Sequence, residues 1–250
     1  MSEPLLALQG IEFGYPGRPV LRGVDFALAP GERVALAGDN GAGKTTLLQL
    51  LVGLYRPSVG RVLAFGRERR TERDFQAVRL RAGLLFQDPD DQLFCPTVLE
   101  DVAFGPLNQG LAPEAARQRA LGTLSGLGLA ALAERVTHQI SGGEKRMVSL
   151  ASVLAMDPDV LLLDEPTNGL DRPTEARLLE HLEALGLAMV FVSHNLGLIQ
   201  RLATRVCVLR DGRLRPAVLH CHPHEHPHLH LADAPGEQPP VQSLPVGHNH

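Results

Sequence analysis

The chain has 250 residues, 44% of them hydrophobic and 21% charged, so it has the length and composition of one large or two small folded domains; a wholly disordered or fibrous chain is excluded. Its formal net charge is −4, and no basic face stands out that would point to a nucleic-acid binder. Three widely spaced cysteines, Cys95, Cys207 and Cys221, argue against a disulfide framework and fit a reducing cytoplasm.

The start, Met1-Ser2-Glu3-Pro4, lacks the basic region of a signal peptide, and no apolar run approaches the roughly 18 residues of a spanning helix. The chain is therefore not expected to cross a membrane alone. Of the 24 basic residues only Lys44 and Lys145 are lysines, so where a lysine survives its compact charge is expected to matter.

In chain order, Leu5 to Phe13 and Val20 to Leu28 read as two strands separated by the turn formers Gly14-Tyr15-Pro16-Gly17, an antiparallel edge. The short apolar run Arg33 to Ala37 enters a glycine-rich loop, followed by a helical pattern from Gly43 to Val52 with leucines at 47, 48, 50 and 51. Thr97 to Arg135 reads as several helices punctuated by Gly105-Pro106, Gly110, Pro113, Gly126 and Gly128. Val160 to Leu163 and Met189 to Val192 are near-continuous apolar strands flanking a helical stretch from Thr174 to Leu185, which implies a parallel sheet covered on both faces. The expected fold is an α/β core with an antiparallel β edge and an inserted helical subdomain at about 97–156. That domain is expected to fill residues 1–215. Residues 216–250 hold eight of the eleven histidines and seven of the nineteen prolines, and are expected to be a largely disordered, flexible tail.

Gly38-Asp39-Asn40-Gly41-Ala42-Gly43-Lys44-Thr45, with Thr46 next, fits G-x-x-x-x-G-K-[ST] between a predicted strand and a predicted helix. Glycines there let backbone N–H groups turn around phosphate oxygens, Lys44 reaches the β- and γ-phosphates, and Thr45 can ligate Mg²⁺. Asp164 and Glu165 end an apolar strand, where ligands bind on a parallel sheet. Asp164 would hold Mg²⁺ through water, and Glu165, on the other side of the strand end, would orient or deprotonate an attacking water. Ser141-Gly142-Gly143-Glu144 opens a helical run with exposed backbone donors, a second anion site or an ordinary capped helix.

Taken in order, the phosphate loop, Gln87 after Leu84-Leu85-Phe86, the Ser141-Gly142-Gly143 helix start, Asp164-Glu165, Asn168-Gly169-Leu170-Asp171 and Ser193-His194 resemble the nucleotide-binding subunits of ABC transporters over about residues 5 to 215. The resemblance implies a P-loop NTPase core that hydrolyses ATP with Mg²⁺. It places Tyr15 on the adenine, Gln87 at Mg²⁺ and the lytic water, and His194 at the γ-phosphate. Asp171 would lie at a dimer seam, where Ser141 to Glu144 close on the ATP of the partner, a second copy of this chain or a related ATPase subunit. This chain departs from the family at Glu144, where Gln is usual, and at Asn195, where an acid is common.

The stretches Gln87-Asp88-Pro89-Asp90-Asp91-Gln92-Leu93-Phe94 and Thr97-Val98-Leu99-Glu100-Asp101-Val102-Ala103-Phe104-Gly105-Pro106 resemble the ATPases of energy-coupling factor transporters, especially those for cobalt and nickel. That resemblance implies integral membrane partners that insert a coupling helix near residues 87–107, a peripheral place on the cytoplasmic face of the membrane, and no nucleic-acid partner. Leu93 and Phe94 are both expected to face the membrane partner.

In the tail, His220, Cys221, His222, His224, His226, His228 and His230 alternate so that an extended chain puts the histidines on one side, where neutral imidazole and thiolate suit Ni²⁺, Co²⁺, Cu or Zn²⁺. The other reading is a weakly titrating tail with no metal role. The function these residues point to is an ATP-hydrolysing subunit that powers import of a transition-metal ion, cobalt or nickel. The alternatives are an importer of another substrate such as a vitamin, a soluble ATP-driven clamp on DNA or ribosomes, and a P-loop kinase. The clamp calls for a long coiled coil, a second engine or a basic face that the sequence lacks, and the kinase leaves Ser141 to Glu144 and Asp171 without work.

Overall fold

A computed structural model describes residues 3–220 and 228–231. Strands β1 (Leu6–Tyr15) and β2 (Arg18–Leu28) pair antiparallel around Pro16-Gly17, and β3 (Arg33–Ala37) leads through the glycine loop into helix α1 (Lys44–Leu51). Next come β4 (Val59–Ala64), β5 (Arg67–Arg69), α2 (Glu72–Arg79) and β6 (Ala82–Leu85). The helical subdomain follows, with α3 (Val98–Asn108), α4 (Pro113–Gly126) and α5 (Gly142–Leu154). The chain then alternates through β7 (Val160–Asp164), α6 (Arg172–Ala184), β8 (Ala188–Val192), α7 (Leu196–Leu202) and β9 (Arg205–Arg210), and ends in β10 (Arg213–His220) and β11 (His228–Leu231).

The strands form two sheets. One is antiparallel in the order β2-β1-β4-β5, and the other runs β11-β10-β9-β3-β8-β7-β6, parallel from β9 to β6. The period-two alternation of side chains splits the interior in two. Val160 and Leu162 of β7 face the core that also holds Leu47, Leu48, Leu50 and Leu51 of α1 and Leu6, Leu8 and Phe26 of the antiparallel sheet. Leu161 and Leu163 face the opposite core, built on the helical subdomain, α6 and α7. Helix α1 is thus wedged between two sheets, which is why its four leucines are all buried.

The stretch between Val52 and Leu84 gives little away in the sequence. Its β5 has three residues, and α2 buries only Phe75 and Val78, although a Thr71–Asp74 capping box fixes its start. At the C-terminus the expected domain boundary at 215 needs correction, because β10 crosses it to His220 and β11 pairs with β10, with Val218 opposite His230 and His220 opposite His228. The outer edge of β9 offers a row of backbone donors and acceptors, and β10 meets them whatever its composition. Cys221, His222, His224 and His226 lie outside the described residues.

A second correction falls on the docking region. A single turn of 3-10 helix, Pro89–Asp91, turns the chain so that Leu93 enters the core of the helical subdomain, 8% exposed, while Phe94 stays 66% exposed. Leu93→Asp is therefore expected to cost about 2–4 kcal/mol of folding stability by burying an unpaired charge, and Phe94→Asp less than about 1 kcal/mol. Urea unfolding midpoints of the two variants check this, and equal losses would remove the distinction.

Candidate nucleotide site

The carboxyl ends of β3, β6, β7 and β8 open into one cavity of about 360 Å³, whose lining includes Tyr15, Lys44, Thr45, Thr46, Gln87, Asp164, Glu165 and His194. Asn40, Gly41 and Gly43 complete its glycine loop, and Arg18, not singled out in the sequence, lines it as well. Two glycines of the loop are required by geometry. Gly38 has φ 139° and a Cβ there would lie 2.3 Å from the Leu209 carbonyl oxygen; Gly43 has φ 105° and its Cβ would lie 2.5 Å from Val20 Cγ1.

The N-terminus of α1 has no side-chain cap and no acid in its first turn, so its backbone donors stay open to an anion. Lys44 is 7% exposed, and its Nζ donates to the carbonyls of Gly38 (2.7 Å) and Asp39 (3.0 Å). Burial lowers the Lys44 pKa, against the pull of Glu165, Asp164 and Asp39. A compact ammonium is thereby held beside the open donors.

Asp164 is 3% exposed, and its Oδ1 has no hydrogen-bond partner among the described residues. Burial raises its pKa; the Thr45 hydroxyl opposes the rise and Glu165 adds to it. An unsatisfied buried carboxylate oxygen beside the Thr45 hydroxyl and the Gln87 amide is an oxygen-rich set that suits Mg²⁺. Glu165 has φ 47°, a left-handed conformation costly for a residue with a Cβ, and its N–H donates to the Val192 carbonyl at 3.1 Å. The kink points its carboxylate along the cavity wall, with Oε1 3.4 Å from His194 Nε2. Tyr15 stands at the rim, its hydroxyl 3.1 Å from Thr46 Oγ1 and its ring edge-on to Phe13 and Tyr55.

Ser141 to Glu144 and Asp171 do not line this cavity. Ser141 and Glu144 form a reciprocal cap, in which Glu144 Oε2 accepts from the Ser141 N–H at 2.7 Å and Ser141 Oγ accepts from the Glu144 N–H at 3.3 Å. Glu144 thus has a structural task that a Gln would also fill. Asp171 caps α6 by accepting from the Thr174 N–H at 2.9 Å. Asn195 caps α7 and donates to Glu175 Oε1 at 2.5 Å.

The docking region holds a support the sequence did not disclose. The buried Asp101 accepts from the N–H groups of Phe94 (3.0 Å) and Cys95 (2.9 Å) and from the Thr137 hydroxyl (2.9 Å). Burial, aided by Asp101, pushes the Cys95 thiol up to about 11, so it stays protonated. Phe94 meets Phe104 edge-on at 4.8 Å beside an apolar groove of about 270 Å³ lined also by Leu54, Leu84 and Met156. Asp101 carries no sequence signal, because only the fold brings residues 94, 101 and 137 together.

The family profile described as "ABC transporter" matches residues 21–168, and the chain belongs to that family as an ATP-binding subunit, an ATPase. An ABC transporter ATP-binding protein of Brucella suis biovar 1, whose name gives no substrate, is 55% identical over 88% of this chain and 92% of the relative. The nickel import ATP-binding protein NikO of Rhodobacter capsulatus is 45% identical over 86% of this chain and 89% of its own length. Among solved structures, cbiO1 of Clostridium perfringens, part of the ABC transporter complex cbiONQ, superposes with a TM-score of 0.75 at 33% identity, covering 85% of this chain and 87% of that one. The dimeric, post-hydrolysis structure of the ATP-binding cassette MJ0796 with ADP and Pi superposes with a TM-score of 0.77 at 26% identity, over 84% of this chain and 96% of that one.

Hydrogen bonds from the Ser141 backbone and hydroxyl hold the Glu144 carboxyl below its ordinary value, against the small effect of burial. Its stabilising effect is therefore fully present above the ordinary carboxylate pKa and fades as pH falls through the lowered one. Glu144→Ala is expected to cost about 1 kcal/mol at pH 7, a difference that shrinks at pH 3 and below. Denaturant unfolding of both proteins at the two pH values checks this; a pH-independent difference would deny the carboxylate its part in the cap.

Proposed function

We propose that this ATPase powers import of a transition-metal ion, nickel or cobalt, as a peripheral subunit on the cytoplasmic face of a membrane complex. The observation that carries the reading is the presence on one chain of the Lys44–Asp164–Glu165 cavity and, across α5, an exposed aromatic groove. The name of NikO and the cbiONQ complex of the structural neighbour support the choice of ion and of partner. No helix among the described residues is long and apolar enough to cross a membrane, and an apolar groove suits a helix of a membrane subunit better than a nucleic acid, which calls for a basic surface.

In this reading Lys44 and the open donors of α1 bind the β- and γ-phosphates, and Tyr15 supports the adenine. Thr45, Gln87 and Asp164 would hold Mg²⁺, which when bound neutralises charge on the phosphates. Glu165 accepts the proton of the attacking water, and His194, beside it, contacts the γ-phosphate and keeps the carboxylate in place. Ser141 closes on the ATP of a second subunit, identical or related, with Asp171 at the seam. Closure moves α5, and with it the Phe94–Phe104 groove and the membrane partner seated there.

Glu165→Gln is expected to keep ATP affinity within about twofold and to lower kcat by about 100-fold or more, since an amide cannot accept the proton. Steady-state ATPase assays and nucleotide binding by fluorescence check this. Turnover at the wild-type rate would reassign the base. Cells carrying the complex with this variant should lose uptake of ⁶³Ni²⁺ or ⁵⁷Co²⁺, and uptake unchanged for both metals would dismiss them as the cargo.

The histidine tail is proposed to collect the ion. Because β10 reaches His220, deletion from residue 216 would remove a strand, so alanine at Cys221, His222, His224, His226, His228 and His230 is the cleaner variant. Calorimetry is expected to show Ni²⁺ or Co²⁺ binding weakened about tenfold or more, ATP binding intact, and wild-type metal binding falling below about pH 6.5 as imidazoles protonate. Equal metal binding by both proteins would return the tail to a linker.

A further inference from the structure

Arg146 lies in the second turn of α5, five residues after Ser141, and is 4% exposed. Its side chain leaves the helical subdomain and reaches the end of β6. There Nη1 donates to the Phe86 carbonyl at 2.6 Å and Nη2 to the Gln87 carbonyl. These consecutive carbonyls sit where the chain leaves the strand and Gln87 enters the cavity wall. Burial lowers the guanidinium's pKa, against the pull of Asp88, Asp164 and Glu165, so the charge lies near both carboxylates of the site.

A buried cation is a poor way to gain stability, since an apolar side chain of similar volume would fill the space at lower cost. Its planar fork, by contrast, fixes two acceptors at once, which no apolar side chain and no single ammonium does. The same helix grips the same loop at two further points. Gln92 donates to the Ser149 carbonyl (2.8 Å) and to Ser152 Oγ (2.9 Å) while accepting from the Phe86 N–H (3.2 Å), and Lys145 Nζ meets Asp90 Oδ1 at 2.6 Å. Residues 86–92 and α5 therefore form one hydrogen-bonded body.

We propose that Arg146 is a positioning residue for Gln87: it fixes the backbone from which Gln87 faces the Mg²⁺ and water side of the cavity, and it makes that position depend on the helix that carries Ser141. Arg146 touches no reacting atom. The inference rests on the role given above to Gln87, and a double-mutant cycle separates the two.

Gln87→Ala, Arg146→Lys and the double variant are assayed for kcat and KM for ATP, with thermal unfolding alongside. Lysine keeps the charge and most of the volume but cannot span both carbonyls. Arg146→Lys is expected to lower kcat by about three- to tenfold with KM changed less than about twofold, and the double variant to be no slower than Gln87→Ala, as for two residues acting through one contact. Arg146→Met, which also removes the charge, is expected to be slower than Arg146→Lys; if it does not fold, the lysine cycle alone decides. Losses that multiply in the double variant, or a wild-type kcat in Arg146→Lys, overturn the proposal and leave Gln87 its role. A wild-type kcat in Gln87→Ala removes that role and the proposal with it.

Discussion

Two opposite charges, Lys44 and Asp164, are buried within one cavity at the ends of neighbouring elements, and neither is stable there alone. Burial lowers the pKa of the first and raises that of the second, and each opposes the shift of the other. Such a pair is weak as glue, because desolvation consumes most of the attraction, but it stores unsatisfied polar capacity where a ligand can meet it. The orphaned Asp164 Oδ1 and the uncapped start of α1 are both signs of that capacity. A parallel sheet with apolar strands on either side supplies the dry wall that makes the charges count.

The rest of the architecture divides into two cores, one on each face of that wall. The core around α1 joins the two sheets and holds the phosphate loop, whose glycines are packed too tightly against Leu209 and Val20 to accept a side chain. The opposite core belongs to the helical subdomain, and α5 runs from the Ser141 cap to the floor of the Phe94 groove. One helix thus reaches the Gln87 edge of the nucleotide cavity through Arg146 and lines the Phe94 groove through Ser152 and Val153. Mechanical coupling needs little more than a stiff helix pinned at both places.

The scarcity of lysine fits this picture. Lys44 sits between two carbonyls that a broader guanidinium would not fit, and Lys145 reaches Asp90 as a point contact. Elsewhere the chain uses arginine, and it does so where a fork is useful: Arg146 on two carbonyls, Arg205 on Glu32 and on the Ala27 carbonyl, Arg201 on both oxygens of Glu183.

What the sequence settled by itself was local. The strands at Arg33 to Ala37 and Val160 to Leu163, the helix after the glycine loop, and the places of Lys44, Thr45, Asp164 and Glu165 at the strand and helix ends that line one cavity were legible because apolar period and motif spacing are written in consecutive residues. The departures at Glu144 and Asn195 were legible as oddities, but their tasks as caps emerged only with the helices in place. Leu93 and Phe94 read alike in the sequence, yet after one turn of 3-10 helix Leu93 points into the core while Phe94 stays exposed, and nothing in the local pattern encodes that difference. The contacts of Asp101 with Thr137 and of Arg146 with Gln87 join residues distant in sequence. Only tertiary structure decides such contacts, because a buried polar group takes whichever partner the packed backbone brings within about 3 Å of it.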